Sequence, residues 1–128
     1  MRQEYKYIDT NSDELCKTRA NARALLKRFA SFDFNDTENK QLILKQLFGS
    51  IGKNVPIDEK FHCEYGKNIF IGDDVIVGPN CIFVDNEKIT IGNCVMIAPN
   101  VQIYTAYHPV LPEERYILER DADNPIYY

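Results

Sequence analysis

IGDDVIVGPNCIFVDNEKIT, residues 71–90, is the middle of three similar segments that together decide the fold. The dipeptide Ile-Gly opens each segment, at residues 51, 71 and 91, so the segments recur with a period of 20. Within each segment, apolar residues recur every six positions: 51, 57 and 63; 71, 77 and 83; 91, 97 and 103. An ordinary antiparallel sheet does not predict a fixed offset of 20 over three units.

A period of six fits neither the 3.6-residue helical repeat nor the two-residue alternation of a long strand. It indicates a strand of about three residues, a turn and the next strand, with one apolar side chain per face pointing inward. Three such faces return the chain to its start after about 18 residues, so equivalent residues stack in parallel register. The sequence therefore predicts a parallel β-helix of three coils, triangular in cross-section, over residues 51–105.

The period exceeds 18 by two residues, so one corner of each coil must bulge. The bulges fall at Tyr65–Asn68 and Asp85–Lys88, which marks that edge as a possible binding edge. The other corners are rich in Gly and Asn, residues that tolerate the positive φ that tight corners often use.

Residues 1–50 predict a polar lead-in followed by a helical hairpin. The first helix spans 14–32, with Ser12 or Asp13 as N-cap, and its basic residues form a solvated face. Asp36 or Thr37 caps the second helix and Gly49 ends it. Its predicted buried stripe is Leu42, Ile43, Leu44, Leu47 and Phe48. With a loop and tail at 106–128, these parts form one domain overall.

Composition narrows the class of function. The 128 residues carry a net charge of −4 with a pI near 5.1, which argues against a nucleic-acid partner. We expect no membrane partner, since no run reaches transmembrane length, and a cytoplasmic location, since the N-terminus has no apolar signal core. The four cysteines form no C-x-x-C pair and predict small buried thiols in a reducing compartment, with no metal site.

The chain resembles the hexapeptide-repeat sugar O-acetyltransferases of the maltose/galactoside O-acetyltransferase type. The resemblance rests on the helical hairpin, Phe61-His-Cys-Glu-Tyr-Gly-Lys-Asn-Ile69, the Val84-Asp85 corner and, most specifically, Ile91-Gly-Asn-Cys-Val-Met-Ile-Ala-Pro-Asn-Val-Gln-Ile-Tyr-Thr-Ala-Tyr-His108-Pro. It implies a mainly β protein with a left-handed β-helix. It also implies a homotrimer with sites between subunits, and transfer of an acetyl group from acetyl-CoA to a sugar hydroxyl.

The resemblance also implies roles for particular residues. His108 takes the place of the family's general base, a task suited to a group that titrates near neutrality. Acceptor-sugar contacts carry over to Asp9, Glu64, Gly78 and Asn86. Galactoside-type members have Asn where this chain has Gly78 and Asp where it has Asn86, so neighbouring Asn80 is a substitute candidate for the missing amide.

Family chains continue after the His108 loop with further coils that hold acetyl-CoA. The expected cofactor-binding region therefore lies beyond Tyr128, and the resemblance implies an enzyme truncated at its C-terminus. The alternative is a catalytically impaired, truncated homologue that serves only as an oligomerising or sugar-binding remnant. A third reading is a β-helical scaffold without a ligand.

Overall fold

A computed structural model describes residues 8–115. Two helices, α1 (Asp13–Ser31) and α2 (Thr37–Leu47), precede eight short strands, and a single turn of helix, α3 (Pro112–Arg115), follows them. The strands are β1 (Ser50–Ile51), β2 (His62–Cys63), β3 (Ile69–Ile71), β4 (Ile76–Val77), β5 (Ile82–Val84), β6 (Ile89–Ile91), β7 (Met96–Ile97) and β8 (Gln102–Tyr104). None of the described helices is both long and apolar enough to cross a membrane.

The predicted helical hairpin is present, and its caps lie where the sequence placed them. The Ser12 hydroxyl accepts a hydrogen bond from the backbone N–H of Leu15, and the Asp36 carboxylate accepts one from Asn39. These bonds satisfy N–H groups that have no partner within the helix. The apolar faces of α1 and α2 pack together through buried residues: Ala22, Leu25, Leu26, Phe29, Ile43, Leu44 and Leu47.

One detail of the predicted second helix was wrong. Leu42 is 51% exposed, because residues 42, 43 and 44 point in directions 100° apart and cannot all face α1. The predicted end of the helix at Gly49 is confirmed, since α2 ends at Leu47 with Phe48 as its C-cap, although Gly49 does not adopt the positive φ that Gly66 has. A Cβ at position 49 would lie 2.5 Å from the carbonyl oxygen of Lys67, so close packing on the first coil requires glycine there.

The strands form three parallel sheets, as the period of 20 predicts. Sheet 1 has the order β1-β3-β6, sheet 2 pairs β4 with β7, and sheet 3 has the order β2-β5-β8. Partners in every pair differ by 20 residues, such as Ile51 with Ile71 and Phe83 with Ile103. The isolated bridge from Ile57 to Val77 extends sheet 2 to the first coil. Each coil visits the three sheets in turn, so the three-coil parallel β-helix is confirmed.

Over residues 8–115 as a whole, the helices contain more residues than the strands. The predicted class, mainly β, is therefore correct only for residues 50–104. Each face provides two or three residues before the next corner, which keeps the strands short. The division into segments 1–50, 51–105 and 106–128 stays a prediction. Residues 1–7 and 116–128 of those segments lie outside the described part.

The core runs along the axis of the coils and is best covered in the first two. Ile57, Cys63, Val77 and Phe83 are buried, whereas their third-coil equivalents Ile97 and Ile103 are only half-buried, as are Val95 and Val101. The α2 helix packs against β1 at the other end of the coils. One end of the apolar column is therefore covered, and the end formed by the third coil is open within the described residues.

Positive φ at the corners within the six-residue spacing belongs to Asn, Asp and Cys, whereas Gly66, with a φ of 80°, lies in the bulge at 65–68. Asn54, Asp74 and Cys94 occupy equivalent corner positions with φ of 56°, 57° and 56°. Asn80 and Asn100 form a second equivalent pair, with φ of 59° and 62°. The expectation that Asn serves this purpose is confirmed, whereas Gly72, Gly78 and Gly92 at these corners do not have positive φ.

Candidate active site

The bulged corners lie one above the other between sheet 3 and sheet 1. The first comprises residues 64–68 and the second residues 85–88, and we call this side of the molecule the bulged edge. Asp85 is fully buried, and its Oδ1 accepts hydrogen bonds from the backbone N–H groups of Glu64 (3.1 Å) and Tyr65 (2.9 Å). Asn68 Nδ2 donates to the carbonyl oxygen of Asp85 at 2.7 Å. These three bonds hold the two corners together across one coil.

Burial sets the electrostatics beneath the corners. Desolvation raises the pKa of Asp85 above its usual value, and hydrogen bonds from nearby backbone N–H groups oppose that rise. Burial likewise raises the pKa of the Cys63 thiol and of the Tyr65 phenol. Neither Asp85 Oδ2 nor the Tyr65 hydroxyl has a hydrogen-bond partner among residues 8–115.

Glu64, a predicted sugar contact, lies between two arginines of α1. Its carboxylate oxygens are 3.6 Å from Arg19 Nη1 and 3.5 Å from Arg23 Nη2, and its side chain is only 23% exposed. The interpretation of the basic face of α1 as merely solvated was therefore wrong for these two residues. Both ion pairs join the helical hairpin to the first bulged corner.

Arg19 also connects Glu64 to the lead-in that contains Asp9. Arg19 Nη2 donates to the carbonyl oxygen of Thr10 at 3.1 Å, one residue after Asp9. The Asp9 carboxylate accepts a hydrogen bond from the N–H of Asn11 at 2.9 Å, and Asp9 itself is half-buried. The structure thus brings Asp9 and Glu64 to the same region through one guanidinium group.

His62 precedes this corner on the outer face of β2. Burial lowers its pKa below the usual value, and the positive charge of Arg23 lowers it further, while Glu64 and Asp85 act in the opposite direction. The imidazole is therefore held toward its neutral form. No role for His62 was predicted from the sequence.

The loop that contains His108 begins at the second bulged corner. The N–H and the hydroxyl of Thr105 both donate to the carbonyl oxygen of Val84, at 3.1 and 2.8 Å, and the Thr105 hydroxyl accepts from the N–H of Glu87 at 2.9 Å. Thr105 therefore attaches this loop on either side of Asn86, which is half-buried. His108 follows three residues later and is exposed.

Gly78 and Asn80 lie at a different corner, between β4 and β5. Within one chain, the length of β5 separates them from Asn86, about 10 Å at 3.3 Å per residue. Asn80 is exposed with a φ of 59°. A Cβ at position 78 would lie 2.8 Å from the backbone nitrogen of Pro99 in the next coil, which leaves no room for a side chain. The structure does not bring these two residues to the bulged edge.

Three residues important to the bulged edge were missed in the sequence. Arg19 was assigned to a solvated face, and Asp85 and Thr105 were given no individual role. Tyr65, Asp85 and Thr105 occupy equivalent positions, 20 residues apart. Tyr65 and Asp85 lie in the two bulged corners, and Thr105 lies at the start of the loop that takes the place of a third. The repeat alone shows this equivalence, which could have identified Asp85 and Thr105. Arg19 lies outside the repeat.

An open groove of about 640 Å³ lies elsewhere, between α2 and the first coil. Its lining includes Gln41, Lys45, Lys53 and Asp73, and contains none of the predicted site residues. Gln41 donates to the carbonyl oxygen of Val55, and Asp73 accepts from the N–H of Lys53. Because it lies beside α2 rather than at the bulged edge, we do not assign the predicted chemistry to this groove.

Comparisons with known proteins agree with the fold and the N-terminal hairpin. Residues 1–52 match the family model described as the maltose acetyltransferase hexapeptide capping motif. A maltose O-acetyltransferase from Clostridium difficile has 41% identity and a TM-score of 0.81, over 86% of this chain and 59% of that one. A hexapeptide-repeat acetyltransferase from Vibrio cholerae, complexed with acetyl coenzyme A, has 32% identity and a TM-score of 0.81, over 89% and 61%.

A galactoside O-acetyltransferase from Lactococcus lactis is 35% identical over 120 residues, which is 88% of this chain and 58% of the relative. The chain thus spans somewhat more than half the length of these relatives. By its fold, the protein is related to the hexapeptide-repeat acetyltransferases. The family model over residues 1–52 and these relatives confirm the resemblance to the maltose and galactoside O-acetyltransferases that the sequence shows.

Proposed function

We propose that this chain contributes the acceptor side of an acetyl-CoA-dependent O-acetyltransferase that acts on a sugar hydroxyl. The observation that carries the proposal is the meeting of Glu64, Asn86 and the start of the His108 loop at the bulged edge. Polar side chains on rigid corners suit the recognition of a polyhydroxylated ligand. The relatives' activity on maltose or galactosides supports a sugar as the acceptor.

In the proposed reaction, His108 acts as general base. Its imidazole accepts the proton of the sugar hydroxyl as the hydroxyl oxygen attacks the thioester carbonyl carbon of acetyl-CoA. Collapse of the resulting tetrahedral intermediate breaks the carbon–sulfur bond, and the proton passes to the departing sulfur of coenzyme A. The exposed position of His108 in a loop leaves it accessible to both substrates.

Acetyl-CoA is the co-substrate in this proposal. The Vibrio relative whose structure contains acetyl coenzyme A supports this choice of donor. We assign no described residue to the donor or to the oxyanion of the intermediate. Among the predicted acceptor contacts, Asp9, Glu64 and Asn86 keep that role in the proposal. Gly78 and Asn80 would reach the same sugar only from a neighbouring subunit.

We further infer a homotrimer with left-handed coils, in a reducing, cytoplasmic compartment. The separation of Gly78 and Asn80 from the bulged edge supports an intersubunit site. Relatives in the hexapeptide-repeat family support the handedness. The four cysteines are free thiols, which supports the compartment, although the expectation that all are buried was wrong for Cys16 and Cys94, which are exposed. Sedimentation equilibrium tests the assembly, and a well-folded monomer would contradict the intersubunit site.

The central test follows release of the coenzyme A thiol from acetyl-CoA with maltose or a galactoside as acceptor. We expect the wild type to turn over and His108→Ala to be inactive. Glu113→Gln, in the nearby helix α3, should leave turnover unchanged. Calorimetric sugar binding without thiol release would contradict catalysis and leave the sugar-binding remnant. The half-buried core of the third coil is the observation that favours that second reading. If the chain shows neither sugar binding nor turnover, the enzyme and the sugar-binding remnant are both rejected.

A further inference from the structure

Asp85 is the only buried carboxylate among residues 8–115, and its side chain is closed off from solvent. Burial of a carboxylate is costly unless hydrogen bonds compensate for the lost hydration. Here Oδ1 accepts two backbone N–H groups from the preceding coil, and such charge-assisted bonds are stronger than neutral ones. A carboxylate buried at this cost in a corner of the coil requires an explanation beyond filling space.

The position of Asp85 connects three parts of the bulged edge. Its carboxylate fixes the backbone of Glu64 in the coil before, and its own backbone continues directly to Asn86. On its other side, Val84 accepts both hydrogen bonds from Thr105, where the His108 loop begins. One residue therefore sets the separation between two candidate sugar contacts and lies beside the anchor of the candidate base.

We propose that Asp85 is a positioning residue for the acceptor sugar, acting through the backbone of Glu64 and through Asn86. This inference rests on the proposed function. Asp85 does not touch the sugar. Its carboxylate holds the two corners in the geometry that places the Glu64 and Asn86 side chains on one ligand. Small displacements of contact residues cost affinity steeply, which is why a rigid support matters here.

The chain offers a matched control in Asp73. Its Oδ1 also accepts a backbone N–H from the preceding coil, that of Lys53 at 2.8 Å, again 20 residues earlier. Asp73 is exposed and lies at the corner between sheets 1 and 2, away from the bulged edge. Asp73→Ala thus removes the same kind of bond without affecting the candidate site.

The experiment compares the full chain with Asp85→Ala, Asp85→Asn and Asp73→Ala. Calorimetry measures binding of maltose and of methyl β-galactoside, and amide NMR follows the N–H signals of Glu64 and Tyr65 without sugar. We expect Asp85→Ala to shift both signals and to weaken sugar binding by about tenfold, the loss expected when one displaced contact residue no longer forms its hydrogen bond to the sugar. Asp85→Asn keeps an acceptor oxygen, so its sugar affinity should be within about threefold of the wild-type value. The sugar affinity of Asp73→Ala should be within about twofold of the wild-type value.

Unchanged sugar affinity in Asp85→Ala, or equal losses in Asp85→Ala and Asp73→Ala, would overturn the proposal. If Asp85→Ala fails to fold, Asp85→Ser takes its place in the test. The short serine hydroxyl cannot reach both backbone N–H groups. Wild-type sugar affinity in Asp85→Ser would therefore contradict a positioning role. A wild-type chain that binds neither sugar rejects the proposed function and the sugar role of Asp85 with it. Unmoved Glu64 and Tyr65 signals in Asp85→Ala reject the positioning itself, whatever the sugar result.

Discussion

At the scale of single residues, the corner glycines differ in what surrounds them. A Cβ at Gly78 would lie 2.8 Å from the backbone nitrogen of Pro99 and 3.1 Å from the backbone carbon of Ala98, whereas a Cβ at Gly92 would meet no atom within 4 Å. The difference arises because Gly78 has a coil stacked above it and Gly92 belongs to the last described coil. Position in the stack, rather than residue type, decides which glycine is required.

We therefore predict that Gly78→Ala destabilises the protein by about 1–3 kcal/mol, because backbone atoms of the next coil must move to accept the methyl group. Gly92→Ala, the matched control, should change the free energy of unfolding by less than about 0.5 kcal/mol. Urea denaturation followed by circular dichroism measures both. Equal effects of the two substitutions would show that stacking does not restrict position 78.

His62 gives a prediction about pH. Burial and the charge of Arg23 lower its pKa in the folded state below the unfolded value of about 6.5. As the pH falls, the unfolded chain binds the proton first, so the contribution of His62 to stability is present above pH 6.5 and is lost below it. His62→Gln should therefore lose less stability than the wild type between pH 7.5 and 5.5, as measured by urea denaturation at each pH.

The same cause can be checked directly by NMR titration of the His62 ring. Arg23→Gln removes the cation and should raise the pKa of His62 relative to the wild type. A pKa that stays unchanged in this variant would mean that burial alone accounts for the shift.

At the scale of elements, α2 joins the hairpin to the coils through one narrow face. Leu44 is 1% exposed and packs in the core, whereas Leu42, two residues earlier on the same helix, is 51% exposed. Phe48 extends this contact, since its ring meets that of Phe61 edge to face at 5.7 Å. Leu44 and Phe48 thus belong to the buried face of α2, and Leu42 lies outside it.

We predict that Leu44→Ala lowers the free energy of unfolding by about 2–5 kcal/mol, through lost burial and the cavity left behind. Leu42→Ala should cost less than about 1 kcal/mol, because most of that side chain already contacts solvent. Thermal denaturation of the two variants beside the wild type provides the comparison. A large loss from Leu42→Ala would indicate that another surface covers this side of α2.

At the scale of the whole molecule, the coils form a stack in which burial decreases from one end to the other. The backbone N–H of Asp74 donates to Lys53 in the coil before, and the equivalent N–H of Cys94 donates to Asp73, both at 2.9 Å. The two bonds have the same geometry and differ in whether another described coil lies beyond them. They therefore isolate the effect of position in the stack.

We predict that the amide of Cys94 exchanges its hydrogen at least about tenfold faster than that of Asp74, because local opening is easier in the last described coil, which no other part of residues 8–115 covers. Native-state hydrogen exchange on the 128-residue chain measures the two rates. Equal protection would mean that a further segment or a second subunit covers the third coil. An exchange experiment repeated over a range of protein concentrations separates those two explanations.

The sequence by itself determined the coils, because a 20-residue repeat of inward apolar residues fits only one way of stacking short parallel strands. It also determined both helices and their caps, which depend on neighbouring residues. The bulged edge was located as well, since the extra two residues can only lie where the repeat lengthens. His108 and its role as base came from the resemblance and stay a proposal.

Only the tertiary structure decided what each polar side chain contacts. Arg19 and Arg23 look like a solvated face until α1 is placed over the first bulged corner, where both pair with Glu64. Asp85 looks like any corner acid until the coil before it supplies two backbone N–H groups. Gly78 looks like a corner glycine until Pro99 of the next coil lies above it. These contacts join residues about 20 or more positions apart, and they depend on distances in space that periodicity alone does not specify.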